Sequence, residues 1–238
     1  MSDAAARAAE LAQLRAGAAQ LAVPLDAARG EALLRLLDEL AQWNRAYNLT
    51  AITDRAQMLT HHLLDSLAVQ PALAGARVLD LGTGAGFPGL PLALVDPQRQ
   101  FTLLDGTAKK IRFVAHAART LGLGNVAAVH GRAGEWRPDA LFDTVVARAV
   151  APVAELAALG RPLLAPGGRL VACKGQRREA EAELAAMAAA PRAAVAPAWQ
   201  PARIDEVTVP GLGAGRCLVT LVAASASSAG APGATPAG

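Results

Sequence analysis

The sequence predicts an α/β fold, a mostly parallel sheet with helices on both faces, preceded by a purely helical segment. Three observations predict it. From Ala76 onward, short apolar runs alternate with longer amphipathic ones, the rhythm of parallel strands joined by crossover helices. Before that point apolar residues recur at helical spacing with no strand-like run among them. At the junction, "LDLGTGAGFPG" (79–89) sets four glycines, Gly82, Gly84, Gly86 and Gly89, between a strand-like and a helix-like run. A chain spends backbone entropy on so many glycines where something must approach closely.

In "EALLRLLDELAQWNRAYNLT", Leu33, Leu36, Leu37, Leu40, Trp43 and Tyr47 fall on one helical face. The pattern breaks at Asn48–Thr53, and Asp54 caps a second helix running to about Val69. With no strand to pair with, residues 1–70 are expected to form a helical cap. The strands expected next are "RVLDL", "FTLLD", "NVAAVH", "FDTVVAR" and "GRLVACK", with helices at about 88–95, 108–121, 151–164 and 177–189. "APGG" (165–168) is a turn feeding the fifth strand. "EVTVPGLGAGRCLVTLVA" is expected to add a hairpin-type pair, including an antiparallel edge strand, which completes a domain over 71–224. "SASSAGAPGATPAG" (225–238) is low-complexity and expected to be disordered.

The 238 residues suffice for one α/β domain with an appendage and are too few for two large domains. No apolar run approaches the roughly 18 residues of a membrane span, and the charged start "MSDAAARAAELAQLRAG" shows no secretory signal. Cys173 and Cys217 are too few and too far apart for a disulfide framework, so a reducing cytosol is expected. The net charge of +3 is unevenly spread: residues 1–70 carry six Arg against eight acids. "RPLLAPGGRLVACKGQRR" (161–178) holds five cations and no acid, and "KKIR" (109–112) adds a second cluster. Such clusters are either solvated faces or a surface for an anionic polymer.

Spacing alone leaves the glycine loop ambiguous. Gly84, Gly86 and Gly89 fit the dinucleotide pattern; Gly82, Gly84 and Gly86 fit that of S-adenosylmethionine enzymes. Asp80, just before the first glycine, suits a ligand bearing an ammonium and a sulfonium and is a poor neighbour for pyrophosphate. Asp105 ends the second strand within reach of ribose hydroxyls, which both ligands possess. No dehydrogenase-sized substrate domain follows the loop. S-adenosylmethionine is favoured, with a nicotinamide-dependent oxidoreductase as the rival.

Five blocks, "NLTAITDRAQMLTHHLLDSL", "VLDLGTGAGFPGLPLA", "FTLLDGTAKKIRFV", "VVARAVAPV" and "LLAPGGRLVACKGQ", together resemble the RsmG (GidB) family of small-subunit rRNA guanine-N(7) methyltransferases. The resemblance runs from about Trp43 to Gln176 and leaves open, as an alternative to the enzyme, a non-catalytic ribosome-assembly factor that keeps a degenerate cofactor fold. It implies a Rossmann-like S-adenosylmethionine-dependent methyltransferase fold with a mostly parallel seven-stranded sheet. It implies a target guanosine in the 530 loop of 16S rRNA in the small ribosomal subunit. It also implies cofactor contacts from Gly82, Phe87, Ala133, Gly134 and Arg148, with Asp105, Gly106 and Thr107 on the ribose side; Asp80 and Gly84 complete the expected set. Many members carry an acidic residue where this chain has Gly134, with Glu135 beside it. The expected RNA surface is Lys109, Lys110, Arg112, Arg169, Lys174, Arg177 and Arg178, on a cytoplasmic monomer without metal or membrane contact.

Nitrogen 7 of guanine has a free lone pair and loses no proton on methylation, so no general base is required. The text after the fourth strand agrees: "ARAVAP" lacks the Asn or Asp, prolines and aromatic of amino-group methyltransferases. Arg148 is read either as a contact to the cofactor carboxylate, a phosphate or the guanine, or as a salt bridge to a neighbouring helix. Cys173 is read as a small buried residue rather than a nucleophile. His61 and His62 lack further metal ligands nearby. His62 and Asp65 fall in one of the resembling blocks and are expected to line the site, to join cap to core, or to pack. His116 and His130 are expected at the surface or at strand ends.

Overall fold

The computed structural model describes residues 3–148, 151–189 and 199–224. The tail expected to be disordered (225–238) lies outside the described residues. Two long helices open the chain, α1 (Asp3–Gln20) and α2 (Ala27–Tyr47). Asp26 caps α2 by accepting from the Arg29 amide at 2.7 Å, and Asn48 ends it in the left-handed conformation. Asp54 caps α3 (Arg55–Met58) by accepting from the Gln57 amide. A π-helical turn, Leu59–Leu64, follows and runs into the short α4 (Asp65–Leu67).

The sheet comprises β1 (Arg77–Leu81), β2 (Gln100–Asp105), β3 (Val126–His130), β4 (Phe142–Arg148), β5 (Leu164–Lys174), β6 (Arg203–Val207) and β7 (Arg216–Val222). Their order is β3-β2-β1-β4-β5-β7-β6. The first five pair in parallel, and β6 and β7 form the antiparallel pair at one edge, with β7 against β5. Helices α5 (Gly89–Val95), α6 (Ala108–Thr120), α7 (Val153–Gly160) and α8 (Arg177–Ala189) are the crossovers. "APGG" falls inside β5, where the β4–β5 register shifts between Phe142 and Thr144. There Gly167 takes a φ of +76°.

Strand alternation sorts the core into two sides. Val78, Phe101, Leu103, Val146 and Val171 face one layer together with α1, α2, the π turn, α5 and α6. Leu79, Leu104, Val145, Ala147 and Ala172 face α7 and α8. The helices of residues 1–70 thus share one continuous core with the sheet. Leu33, Leu36, Leu37 and Leu40 are fully buried in it, and Trp43 meets Phe113 of α6 edge-on at 5.7 Å. Among the described residues no helix is long and apolar enough to cross a membrane.

Candidate active site

The carboxyl ends of the parallel strands, where open α/β sheets place ligands, carry the glycine loop. Its backbone is anchored from below: the amides of Gly82 and Thr83 both donate to the Leu104 carbonyl, at 2.8 and 3.0 Å. Asp80 lies beneath it, 1% exposed. Its Oδ2 accepts from Thr83 Oγ1 at 2.6 Å and from the Gly89 amide at 2.7 Å; Oδ1 is buried and has no partner among the described residues. Desolvation pushes the carboxyl up to about 6, against the lowering effect of those two bonds. The expectation that Asp80 faces the ligand needs correction, because it lines neither cavity described below. Two residues before the first glycine, the Asp80 side chain turns under the loop, where it holds both loop ends.

Two cavities of about 390 Å³ each adjoin at this edge and share His62 and Arg148. Gly82, Thr83, Gly84, Ala85, Phe87, Asp105 and Lys110 line the first, with Leu49 and Thr50 from the α2–α3 connection. Asp105 Oδ2 accepts from the Gly84 amide at 2.9 Å and Oδ1 from the Thr107 amide at 2.7 Å, so it clasps the loop while facing the cavity. The second cavity is lined by Ile52, His61, Asp65, Cys173, Lys174, Gly175 and Arg216.

Between them stands a wall. The His62 ring stacks on Phe87 at 4.8 Å, and the Arg148 guanidinium lies 5.9 Å over the same Phe87. His62 Nε2 is 3.2 Å from Thr50 Oγ1, which also accepts from the Ile52 amide. Burial, with Arg148 nearby, lowers the imidazole to about 4, so it is neutral at pH 7. Arg148 donates to the His61 carbonyl at 2.9 Å and to Asp65 Oδ2 at 3.2 Å, and Arg216 donates to Asp65 Oδ1 at 2.8 Å. One carboxylate, at the start of α4 directly after the π turn, is therefore tied to both β4 and β7. The salt-bridge reading of Arg148 is thus observed, and the same side chain also lines both cavities. Desolvation pushes the Cys173 thiol up to about 12, so it stays protonated and unfit as a nucleophile.

The other expected site residues divide. Gly106 and Thr107 continue from Asp105 at the carboxyl edge, and Gly106 lies against Arg132 and Gly131. Ala133 and Gly134 follow β3 nearby yet line neither cavity. Lys109 donates to the Tyr47 carbonyl at 2.9 Å and Arg112 lies over the Tyr47 ring. The stretch 161–178 is not a single basic surface. Arg169 pairs in register with Thr144 at the start of β4 and reaches the Ala72 carbonyl at 3.5 Å. Four residues of strand, about 13 Å, separate it from Cys173 at the site edge. Lys174 does border the second cavity, but its side chain is 14% exposed and its ammonium is committed to Glu183 at 2.7 Å and the Ala151 carbonyl at 2.8 Å. Arg177 pairs with Glu181 on the surface and Arg178 is exposed. Among the described residues no group of three or more His, Cys, Asp or Glu is placed to hold a metal ion.

Leu49, Thr50 and Arg216 were not singled out from the sequence. "NLT" stands out only as a break between helices. Arg216 reaches the site because β7 runs antiparallel, pairing Cys217 with Lys174; only the closing hairpin hints at this.

Comparison with known proteins converges on one family. The family model described as rRNA small subunit methyltransferase G (GidB) matches residues 29–197. A ribosomal RNA small subunit methyltransferase G from Chromohalobacter salexigens is 51% identical over 73% of this chain and 82% of its own. Another of that name from Methylococcus capsulatus is 49% identical over 71% and 82%. Among solved structures the [4+2]-cyclase SpnF aligns with a TM-score of 0.54 at 20% identity, over 71% of this chain and 82% of that one; this likeness concerns the fold alone. With its seven-stranded sheet, its glycine loop and a family match across most of its length, the chain belongs to the GidB family of rRNA small subunit methyltransferases.

Proposed function

We propose that the protein transfers a methyl group from S-adenosylmethionine to nitrogen 7 of a guanosine in the 530 loop of 16S rRNA, acting as a cytoplasmic monomer. The observation that carries this reading is the pair of adjoining cavities sharing one wall of His62 and Arg148. The first suits the cofactor. Its volume lies within the range of ligand pockets, a Cβ at Gly84 would meet nothing within 4 Å, and Asp105 is the carboxylate in its lining for the ribose hydroxyls. When bound, the cofactor supplies an electrophilic methyl group. Gly82, Gly84 and Phe87 would hold it, with Asp105–Thr107 on the ribose side. Ala133 and Gly134 would contribute backbone from the β3 end, and Asp80 would act through the loop it fastens.

The second cavity suits the base. Arg148 and Arg216 border it as hydrogen-bond donors, and a neutral His62 does not add a charge beside the nucleophilic nitrogen. The reaction needs alignment and dryness rather than proton transfer; positioning can supply on the order of 7–11 kcal/mol of a barrier. In this reading residues 1–70 are a cap by role, contributing Thr50, His62 and Asp65 to the wall, and 71–224 carry the cofactor machinery. Tyr47 and Leu141 are the exposed large hydrophobics among the described residues, which supports a monomer. Mass spectrometry of 16S rRNA fragments from cells with and without the gene tests the proposal. Loss of one N7-methylguanosine from the 530-loop fragment, restored by the wild-type gene and not by Arg148→Ala, is expected; unchanged methylation overturns it.

A further inference from the structure

A ladder of planar groups leads from the core to the surface beside the first cavity. Phe113, fully buried, meets Trp43 at 5.7 Å; Trp43 meets Tyr47 at 5.2 Å; and the Arg112 guanidinium lies 5.9 Å from the Tyr47 ring centroid. Tyr47 is 40% exposed and Arg112 is exposed. The Tyr47 ring packs on Trp43 and still keeps that much of its surface open to a ligand. Among the cap arginines, Arg7 pairs with Glu31 and Asp38, Arg29 with Asp26, and Arg55 with Glu10 and Asp38, whereas Arg15 and Arg35 donate to backbone carbonyls. Arg112 has no carboxylate partner among the described residues. The platform is fixed in place, because Lys109 donates to the Tyr47 carbonyl at the end of α2, where a cation also complements the helix dipole. It also adjoins the site: Leu49 and Thr50 follow Tyr47 by two and three residues, and Lys110 precedes Arg112 by two, and all three line the first cavity.

We infer that the Tyr47–Arg112 pair is a stacking platform for an unpaired nucleotide of the RNA substrate, outside the methylated base, with the guanidinium plane as the rung on which the base lies. The inference rests on the rRNA reading above. Arginine planes and aromatic rings take bases by their π-faces, which single strands expose and duplexes do not. Lys109, Lys110 and Arg112 give the same face a positive charge, which favours an RNA over an apolar partner.

The decisive variant is Arg112→Lys, which keeps the charge and discards the plane. Binding to unmethylated 16S rRNA and the KM for it are measured for Arg112→Lys, Arg112→Ala, Tyr47→Phe and Tyr47→Ala, with calorimetric affinity for S-adenosylmethionine and thermal unfolding as controls. Stacking predicts that Tyr47→Phe behaves as wild type, while Tyr47→Ala and both Arg112 variants weaken rRNA binding by about fivefold or more. It also predicts that Arg112→Lys keeps the wild-type salt dependence and that cofactor affinity does not move. If Arg112→Lys binds as wild type while Arg112→Ala loses about 0.7 of the log–log salt slope, Arg112 is a phosphate contact and the platform is refuted. Wild-type binding by all four variants refutes it too. If the wild-type protein neither binds nor methylates rRNA, the parent reading falls and takes the platform with it.

Discussion

Among the described residues, Asp80 combines full burial with a partner for only one of its two oxygens. Burial pushes its carboxyl up to about 6 in the folded protein, from an ordinary 3.8, so the folded state holds the proton more tightly. The resulting stabilisation is complete below about pH 4 and is lost as pH rises through 6. Two units correspond to about 3 kcal/mol. Asp80→Asn is therefore expected to flatten the fall in stability between pH 4 and 7 and to be no less stable than wild type at pH 7.5, as read by urea unfolding at each pH. A steeper fall in the variant would contradict the burial argument. Two glycines separate stability from binding in the same way. Gly86, at φ +88°, would drive a Cβ to 2.3 Å from Leu90, whereas Gly84, at φ +60°, opens on empty space. Gly86→Ala should cost about 2 kcal/mol of stability. Gly84→Ala should cost about 1 kcal/mol and at least tenfold in cofactor affinity, measured by calorimetry. At this scale the glycine loop and Asp105 were legible, because their chemistry is local in sequence. The direction in which Asp80 turns was not, because it depends on how the loop folds back over its own strand.

The strands could be read to within a few residues because buried parallel strands are short apolar runs bounded by turns. The π turn at Leu59–Leu64 could not: widening one helical turn leaves the apolar spacing looking helical, yet it changes which side chains share a face. That turn directs His62 against Phe87 and Asp65 between Arg148 and Arg216. Asp65→Ala would leave two guanidinium groups facing each other without their carboxylate. A fully buried pair broken in this way costs about 3–5 kcal/mol; partial exposure of both arginines reduces the expectation to about 2 kcal/mol. Chemical denaturation measures it, and a cost under about 0.5 kcal/mol would show that the clamp contributes little. β5 teaches the complementary lesson: charges contiguous in the sequence are carried to opposite ends of the sheet when the segment is a strand.

For the whole molecule, the charge asymmetry read from the sequence survives, but over a smaller surface. Lys110, Arg112 and Arg178 remain exposed or partly exposed on the site's side, while Arg169 lies at the far edge. Affinity for 16S rRNA should fall steeply with salt; Lys110→Ala and Arg178→Ala should each lower the log–log slope by about 0.7, and Arg169→Ala should leave it unchanged. Filter binding between 50 and 200 mM salt reads all three outcomes. That the cap helices and the sheet share one core was not legible, since helical periodicity reports which face is apolar and not what covers it.

One guanidinium, that of Arg148, borders both chambers. Whatever occupies one of them alters the electrostatic field felt in the other, so the two binding equilibria are thermodynamically linked. By reciprocity, the factor by which the methyl donor changes the affinity for RNA is the factor by which RNA changes the affinity for the donor. On the proposed occupancy, the donor loses its sulfonium charge on transfer, so its spent form would present a different charge to the same arginine and its departure would be coupled to that of the modified RNA.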